Sequence, residues 1–352
     1  MSAAGTVIKP SPYIPAKAWE KDSMPKRILA IRLQAMGDLV ITLPYLQQLK
    51  KMLPAGSGLD LLTREEVEAI PKNIHLFDHV YSIGGGRNVK KQFLYTGWLL
   101  PGLLLHRYDV VIDLQNNIVS QFVRKSLMPK AWSLFDRFSP IAAGESTRLT
   151  IEAIGLGKCF ADPFFKLKNE QESIDLLKNN GWDGVSELVV LNPAGAFITR
   201  NWPIENYVDF AMLWLQQFPQ TQFIIAGVNL IAWKAAYFKQ KLGNNFIDLV
   251  NKTTAVQAFA VIQKIKFVLS EDSGLMHMAW VSGIPTLAIF GSTRSDRATP
   301  LGTHTLLLHS SDLECGNCML EICKYGDTHC LTRYTAQFVF KKAVTLINSV
   351  AS

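Results

Sequence analysis

Short apolar runs alternate with amphipathic stretches along most of the chain. ILAIRL (28–33) and YDVVIDL (108–114) are near-continuous apolar runs bounded by polar residues, the pattern of strands buried on both faces. After the loop QAMGD (34–38), Leu39, Leu43 and Leu46 fall on one helical face, so a helix follows the first strand, with Pro44 expected to kink it or delay its start. In the second half ELVVLNPAG, TQFIIAGV, KFVLSEDSG and PTLAIFG each close in Gly, Pro or Asp, and helical patterns such as residues 207–218 separate them. Strands alternating with helices predict parallel α/β sheets. The pattern occurs on both sides of the polar stretch LKNEQESIDLLKNNGWDGVSE (167–187). Two doubly wound domains facing each other across a cleft are therefore expected, joined within that stretch.

Composition narrows the class. At 352 residues the chain is long for one core and fits two domains. Its 48% hydrophobic and 18% charged content is globular. The formal net charge of +7 serves solubility or an anionic partner, and charge alone does not choose between them. The start, MSAAGTVIKPSPYIPAKAWEK, lacks the apolar core of a secretory signal, so residues 1–25 read as an extended lead-in. Residues 95–105, the most apolar later stretch, carry Gly97, Pro101 and Gly102 and fall short of the ~20 residues of a spanning helix. A cytoplasmic chain is expected, either soluble or resting on the inner face of the cytoplasmic membrane. No nucleic-acid motif accompanies the positive charge, and the oligomeric state is not legible.

Three loop segments carry candidate chemistry, at the carboxyl ends of strands where ligands bind in such sheets. In the first, Gly37 permits close approach to the backbone, and Asp38 is either a helix cap or a cleft-facing general base. In the second, Asn192, Pro193, Ala194, Gly195 and Ala196 precede Thr199, Arg200, Asn201, Trp202 and Pro203, a phosphate cradle with a cation or an ordinary loop with a surface arginine. In the third, Asp272 or Ser273 starts a helix whose free amides suit an anion, Gly274 follows, and His277 lies one turn on, as a packed residue or a ligand contact. Gly291 and Ser292, after the next strand, offer a second ligand contact. A dinucleotide G-x-G-x-x-G after the first strand and a phosphate-binding P-loop are both missing.

Together the three segments resemble glycosyltransferase family nine, the ADP-heptose:lipopolysaccharide heptosyltransferases. The resemblance runs from about residue 27 onward through RILAIRLQAMGDLVITLPYLQQLKK, YDVVIDLQ, NPAGAFITRNWPIENY and SEDSGLMHMAWVSGIPTLAIFGST. It implies a GT-B fold: an acceptor-binding Rossmann-like domain (26–175), a donor-binding one (176–334), and a C-terminal helix (335–352) packing back on the first. It also implies an inverting heptosyl transfer from ADP-heptose to a lipopolysaccharide inner-core acceptor, with no catalytic cofactor. Asp38 would be the base. Gly37, Ala194, Gly195, Thr199, Arg200, Asp272, Ser273, Gly274, His277, Gly291 and Ser292 would hold the donor. Most relatives place Lys at the Arg200 position. The acceptor would meet basic residues of the first domain: Arg64, Arg87, Arg124 and Lys125, or these form a solvated face. Alternatives are another nucleotide sugar, a protein (autotransporter) acceptor, an epimerase on the same fold, and a non-catalytic nucleotide-sugar-binding protein.

Cys315, Cys318, Cys323 and Cys330 have the spacing C-x2-C-x4-C-x6-C. Four thiols so placed form a structural zinc (or iron) site, or pack as reduced thiols in a loop.

Overall fold

The computed structural model describes residues 13–351 apart from Asn169 and Ala196. Residues 1–12 of the expected lead-in and Ala196 of the second loop lie outside the described residues.

The first domain contains β1 (Ala16–Lys17), β2 (Arg27–Ile31), α1 (Met36–Met52), β3 (Gly58–Arg64), α2 (Ala69–Asn73), β4 (Val80–Ile83) and α3 (Val89–Leu105). It continues with β5 (Val110–Asp113), α4 (Ile118–Leu127), β6 (Ala131–Leu134) and α5 (Ala143–Glu152). Its sheet runs β1-β6-β5-β2-β3-β4, parallel except for β1. Ala16 and Lys17 pair antiparallel with Ser133 and Trp132, so this part of the lead-in closes a sheet edge.

The second domain contains α6 (Glu170–Asn179), β7 (Glu187–Asn192), α7 (Ile204–Gln217), β8 (Thr221–Gly227), α8 (Ala232–Leu242) and β9 (Phe246–Val250). Then follow α9 (Ala255–Ile262), β10 (Phe267–Glu271), α10 (Gly274–Val281), β11 (Thr286–Ile289), α11 (Ser295–Ala298), β12 (Thr305–Leu308), α12 (His329–Thr332) and α13 (Ala336–Ala351). Its all-parallel sheet runs β12-β11-β10-β7-β8-β9. In both sheets the winding reverses beside the domain's leading parallel strand, between β2 and β5 and between β7 and β10. Crevices open at such switch points.

Three expectations are corrected. The α1 helix starts at Met36 and runs through Pro44 without a break, so Gly37 and Asp38 lie in its first turn rather than ahead of it. A boundary at 175/176 would cut α6, which packs on α9, whereas Lys168 still bonds Asn73 of the first domain; the junction falls between Lys168 and Glu170. The last helix does not return to the first domain. It packs on α7, burying Val339, Ala343 and Leu346 in the second domain's core, with Phe340 against the rings of Phe210 and Trp214. Those apolar positions recur at helical spacing and meet their counterpart in the α7 stripe.

The domains meet through α1 and α10. Their buried residues belong to one continuous apolar cluster that includes Leu39, Leu43, Met276 and Trp280. Packing of this kind holds the two switch points face to face.

Candidate active site

Each crevice is built from the end of one strand and the start of the helix after it. At the first, Gln115 follows β5, and its side-chain oxygen accepts the Leu33 and Gln34 amides at 2.9 and 3.0 Å. That fixes the approach of the chain to α1. Asp38 reaches back to accept the Ala35 amide at 3.0 Å, and Arg32 lies 3.1 Å from its other oxygen. Asp38 is thus both a helix cap and a cleft carboxylate, with its side chain 44% exposed. A carboxylate has about four acceptor sites, so these two partners leave room for a substrate hydroxyl. Arg32 is buried, its guanidinium 5.0 Å from the Phe135 ring centroid; burial lowers its pKa, and the Asp38 carboxylate opposes that shift.

At the second crevice Arg200 donates to Asp272 at 2.6 Å through its carboxylate and 3.1 Å through its carbonyl. Its Nε is buried and has no partner among the described residues. Ser273 caps α10, accepting the Met276 amide at 3.2 Å, while Asn192 donates to Ser273 at 2.6 Å. The start of α10 therefore presents amides and a fixed hydroxyl beside a guanidinium, an arrangement suited to phosphate.

His277 joins the two crevices. A methyl group built on Gly37 would stand 3.0 Å from His277 Cδ2, and the ring lines the same cavity as Asp38. The Trp280 indole can only donate, and it lies 3.0 Å from His277 Nδ1. The imidazole is therefore neutral with its proton on Nε2. Burial lowers its pKa, against the opposing pull of Asp272 and Asp38, and favours that state. Gly37→Ala should cost about 1–3 kcal/mol, because His277 is held by Trp280 and cannot yield freely; chemical denaturation measures this.

A cavity of about 320 Å³ opens around Asp38 and His277. Its walls carry residues from both domains that sequence reading missed: Arg32, Arg137, Ser139, Ser146 and Arg297. Arg297 crosses the cleft to the Phe138 carbonyl at 3.3 Å. The Ser139 and Ser146 hydroxyls and Arg297 Nε are buried without partners among the described residues, as expected of groups awaiting a polar ligand. Arg32 lies in the first quoted segment, Arg137 and Ser139 share the β6–α5 loop, and Ser146 and Arg297 come from α5 and α11.

Glu271 was also overlooked. It is fully buried at the end of β10 and accepts the Gly195 amide at 2.6 Å and the Trp202 amide at 2.7 Å, tying down the loop that carries Arg200. Gly195 is required there, since a methyl group would stand 2.8 Å from Glu271 Oε2 and against the Arg200 carbonyl. The signal was present in the sequence: a charge closing the apolar run KFVLSE has to be paired. Burial pushes the Glu271 carboxyl from 4.5 up to about 7, with Lys234 and the two amides acting in the opposite sense. The folded protein then holds this proton more tightly than the unfolded chain. The associated stability is complete below pH 4.5 and is lost as pH rises through about 7. Glu271→Gln should flatten this dependence, so wild type should lose thermal midpoint relative to the variant between these limits.

Other expected site residues separate. Ala194 is half-buried in the same loop as Gly195. Thr199, Gly291 and Ser292 come together, but on each other: Thr199 Oγ1 is 3.0 Å from Ser292 Oγ, and the Ser292 amide donates to the Thr199 carbonyl at 3.0 Å. They line a cavity with the four cysteines, not the Asp38 cavity. Arg64 and Arg87 line a neighbouring space of about 390 Å³, where Arg64 donates to Gln34 at 2.9 Å. Arg124 and Lys125 line neither of these first-domain cavities. They sit in the last turn of α4, which runs away from the crevice, and Arg124 is stacked 4.4 Å from the Trp132 centroid. Cys315, Cys318, Cys323 and Cys330 share one cavity of about 250 Å³. Among the described residues no group of three or more His, Cys, Asp or Glu side chains is drawn together as a metal site, although Cys315, Cys318 and Cys323 are near enough to raise the Cys330 thiol, after its burial.

The family model for glycosyltransferase family 9 (heptosyltransferase) matches residues 99–329. The chain is 24% identical over 331 residues to lipopolysaccharide heptosyltransferase 1 of Pseudomonas aeruginosa, covering 86% of this chain and 88% of that one. It is 21% identical to lipopolysaccharide heptosyltransferase 1 of Campylobacter coli, covering 77% and 85%. Among solved structures it resembles a family 9 glycosyltransferase from Veillonella parvula, with TM-score 0.75, 18% identity and 92% and 97% of the chains covered. ADP-heptose LPS heptosyltransferase II of E. coli superposes with TM-score 0.69, 16% identity and coverage of 93% and 100%. The fold is that of these GT-B enzymes.

Proposed function

The chain belongs to glycosyltransferase family 9, and on that premise we propose that it transfers a heptose from ADP-heptose to a hydroxyl of a lipopolysaccharide inner-core acceptor. One observation supports this reading above the rest. The buried His277 ring of α10 lies within electrostatic reach of both Asp38 and Asp272, the residue that holds Arg200, so the carboxylate and the anion site flank one side chain.

In this reading Asp38 takes the proton from the acceptor hydroxyl as its oxygen forms a bond to the anomeric carbon. The bond from that carbon to the phosphate oxygen breaks on the opposite face, which inverts the configuration and releases ADP. Amides at the start of α10, Ser273 and the Arg200 guanidinium stabilise the charge gathering on the leaving diphosphate. The His277 Nε2–H donates into the same space. Arg32, Arg137 and Arg297 attract an anionic acceptor, and Ser139 and Ser146 meet its hydroxyls. The four-cysteine cavity is assigned no part in this transfer. A structural zinc or iron ion there would have to draw the thiols together, and metal analysis of the purified chain decides whether one is bound.

Calorimetric titration with ADP, UDP and GDP, followed by ADP-heptose, tests the donor. Selective ADP binding that Asp272→Ala weakens supports the reading. A preference for UDP or GDP replaces the donor, and no binding of any nucleotide sinks the proposal. Turnover on a lipopolysaccharide core fragment against an autotransporter protein then separates the two acceptor classes.

A further inference from the structure

The α3 helix faces water with the wrong residues. On its inner side Phe93, Leu99, Leu100 and Leu103 pack against the first domain's core, and Gln92 and Thr96 are buried. Its outer side presents Leu94, Tyr95, Trp98, Leu104 and Leu105, with Trp98 82% and Leu105 84% exposed. No charged residue occurs between Gln92 and Leu105. A helix that is apolar all round belongs in an apolar environment on every side, and here one side has none. Ile118 and Phe122 of α4 extend the surface, Phe122 meeting Phe93 with ring centroids 5.5 Å apart.

Charge identifies what covers this face. Residues 79–108 contain no Asp or Glu, whereas Arg87, Lys90 and Lys91 lie at the start of α3 and Arg107 just beyond its end. An exposed Trp and Tyr between two cationic ends is the composition of a helix lying in the plane of an anionic lipid surface. Among the described residues no helix is long and apolar enough to cross a membrane, so this is surface docking.

We propose that the outer face of α3 docks the protein onto an anionic phospholipid membrane, with the acceptor entering beside it. The cavity at the start of α3, lined by Arg64 and Arg87, shares Gln34 with the Asp38 cavity. A lipid-anchored acceptor at the docked surface thereby has a cationic route towards Asp38. The entry route rests on the acceptor reading above; the docking surface rests on α3 itself.

Flotation of the full-length protein with phosphatidylcholine vesicles, with and without phosphatidylglycerol, tests the proposal without donor or acceptor. The wild type should float with the anionic vesicles, release at high salt, and leave the neutral ones. Trp98→Asp, and separately Lys90→Glu with Lys91→Glu, should each lower partitioning by roughly tenfold or more while ADP binding is retained. Failure of the wild type to bind anionic vesicles, equal binding to neutral ones, or undiminished binding by both variants overturns the proposal. So does a lipid-free oligomer that Trp98→Asp dissociates, since a second copy would then cover the face. ADP binding without vesicle binding removes this inference alone; the reverse removes the donor reading alone.

Discussion

Asp38→Asn is expected to lower kcat by about 10²–10⁴-fold with little change in ADP affinity, the contribution of a positioned general base. The amide keeps the shape of the carboxylate, and its oxygen can still accept the Ala35 amide while its NH2 takes the place of the oxygen that faced Arg32. It cannot accept a proton at neutral pH. Asp38 is nearly half exposed but Arg32 is buried, so leaving that guanidinium short of a partner should cost about 1–3 kcal/mol, offset in part by the bond it keeps to the Leu114 carbonyl. Steady-state kinetics together with a thermal melt separate these effects. Near-wild-type kcat in a folded variant would remove Asp38 from the chemistry and leave it as a cap on α1.

Arg200→Ala is expected to weaken ADP binding and lower kcat/KM by about 10²–10³-fold, corresponding to about 2.7–4 kcal/mol of stabilisation of the leaving diphosphate. Two losses combine. The phosphates lose a guanidinium, and Asp272, held by Arg200 at 2.6 Å, becomes an uncompensated anion beside them. Arg200→Ala combined with Asp272→Ala separates the two, since affinity that returns in the double variant reports the repulsion. Arg200→Lys should lie in between, because a lysine keeps the charge but cannot present two donors in one plane. Unchanged ADP affinity in Arg200→Ala would place the anion site elsewhere.

The motifs that sequence reading identified were the ones confined to a single strand–loop–helix unit. Gly37 with Asp38, and Asp272 with Ser273 and Gly274, could be found because a strand end, a turn and a helix start are contiguous in the chain. Arg124 and Lys125 lie apart from both first-domain cavities for a reason also present in the sequence. A helix leaving the crevice carries its last turn away from it, so Arg124 and Lys125 at the end of α4 could not line the cleft, whereas Arg32 at a strand end could. Thr199, Gly291 and Ser292 satisfy one another's polar groups, a pairing across about ninety residues that no local pattern reveals.

The alternation of strands and helices, the two-domain α/β architecture and the glycine-acid turns were determined by the sequence alone, because burial pattern and backbone freedom are local properties. Tertiary structure decided what surrounds those turns. The winding order brings Arg137 and Ser146 of the first domain and Arg297 of the second to the cavity that Asp38 lines. The apolar stripe of α13 is complementary to α7, so the final helix stays with the second domain instead of crossing to the first. These outcomes depend on which distant surfaces fit each other, and fit between surfaces is fixed only when the whole chain has packed.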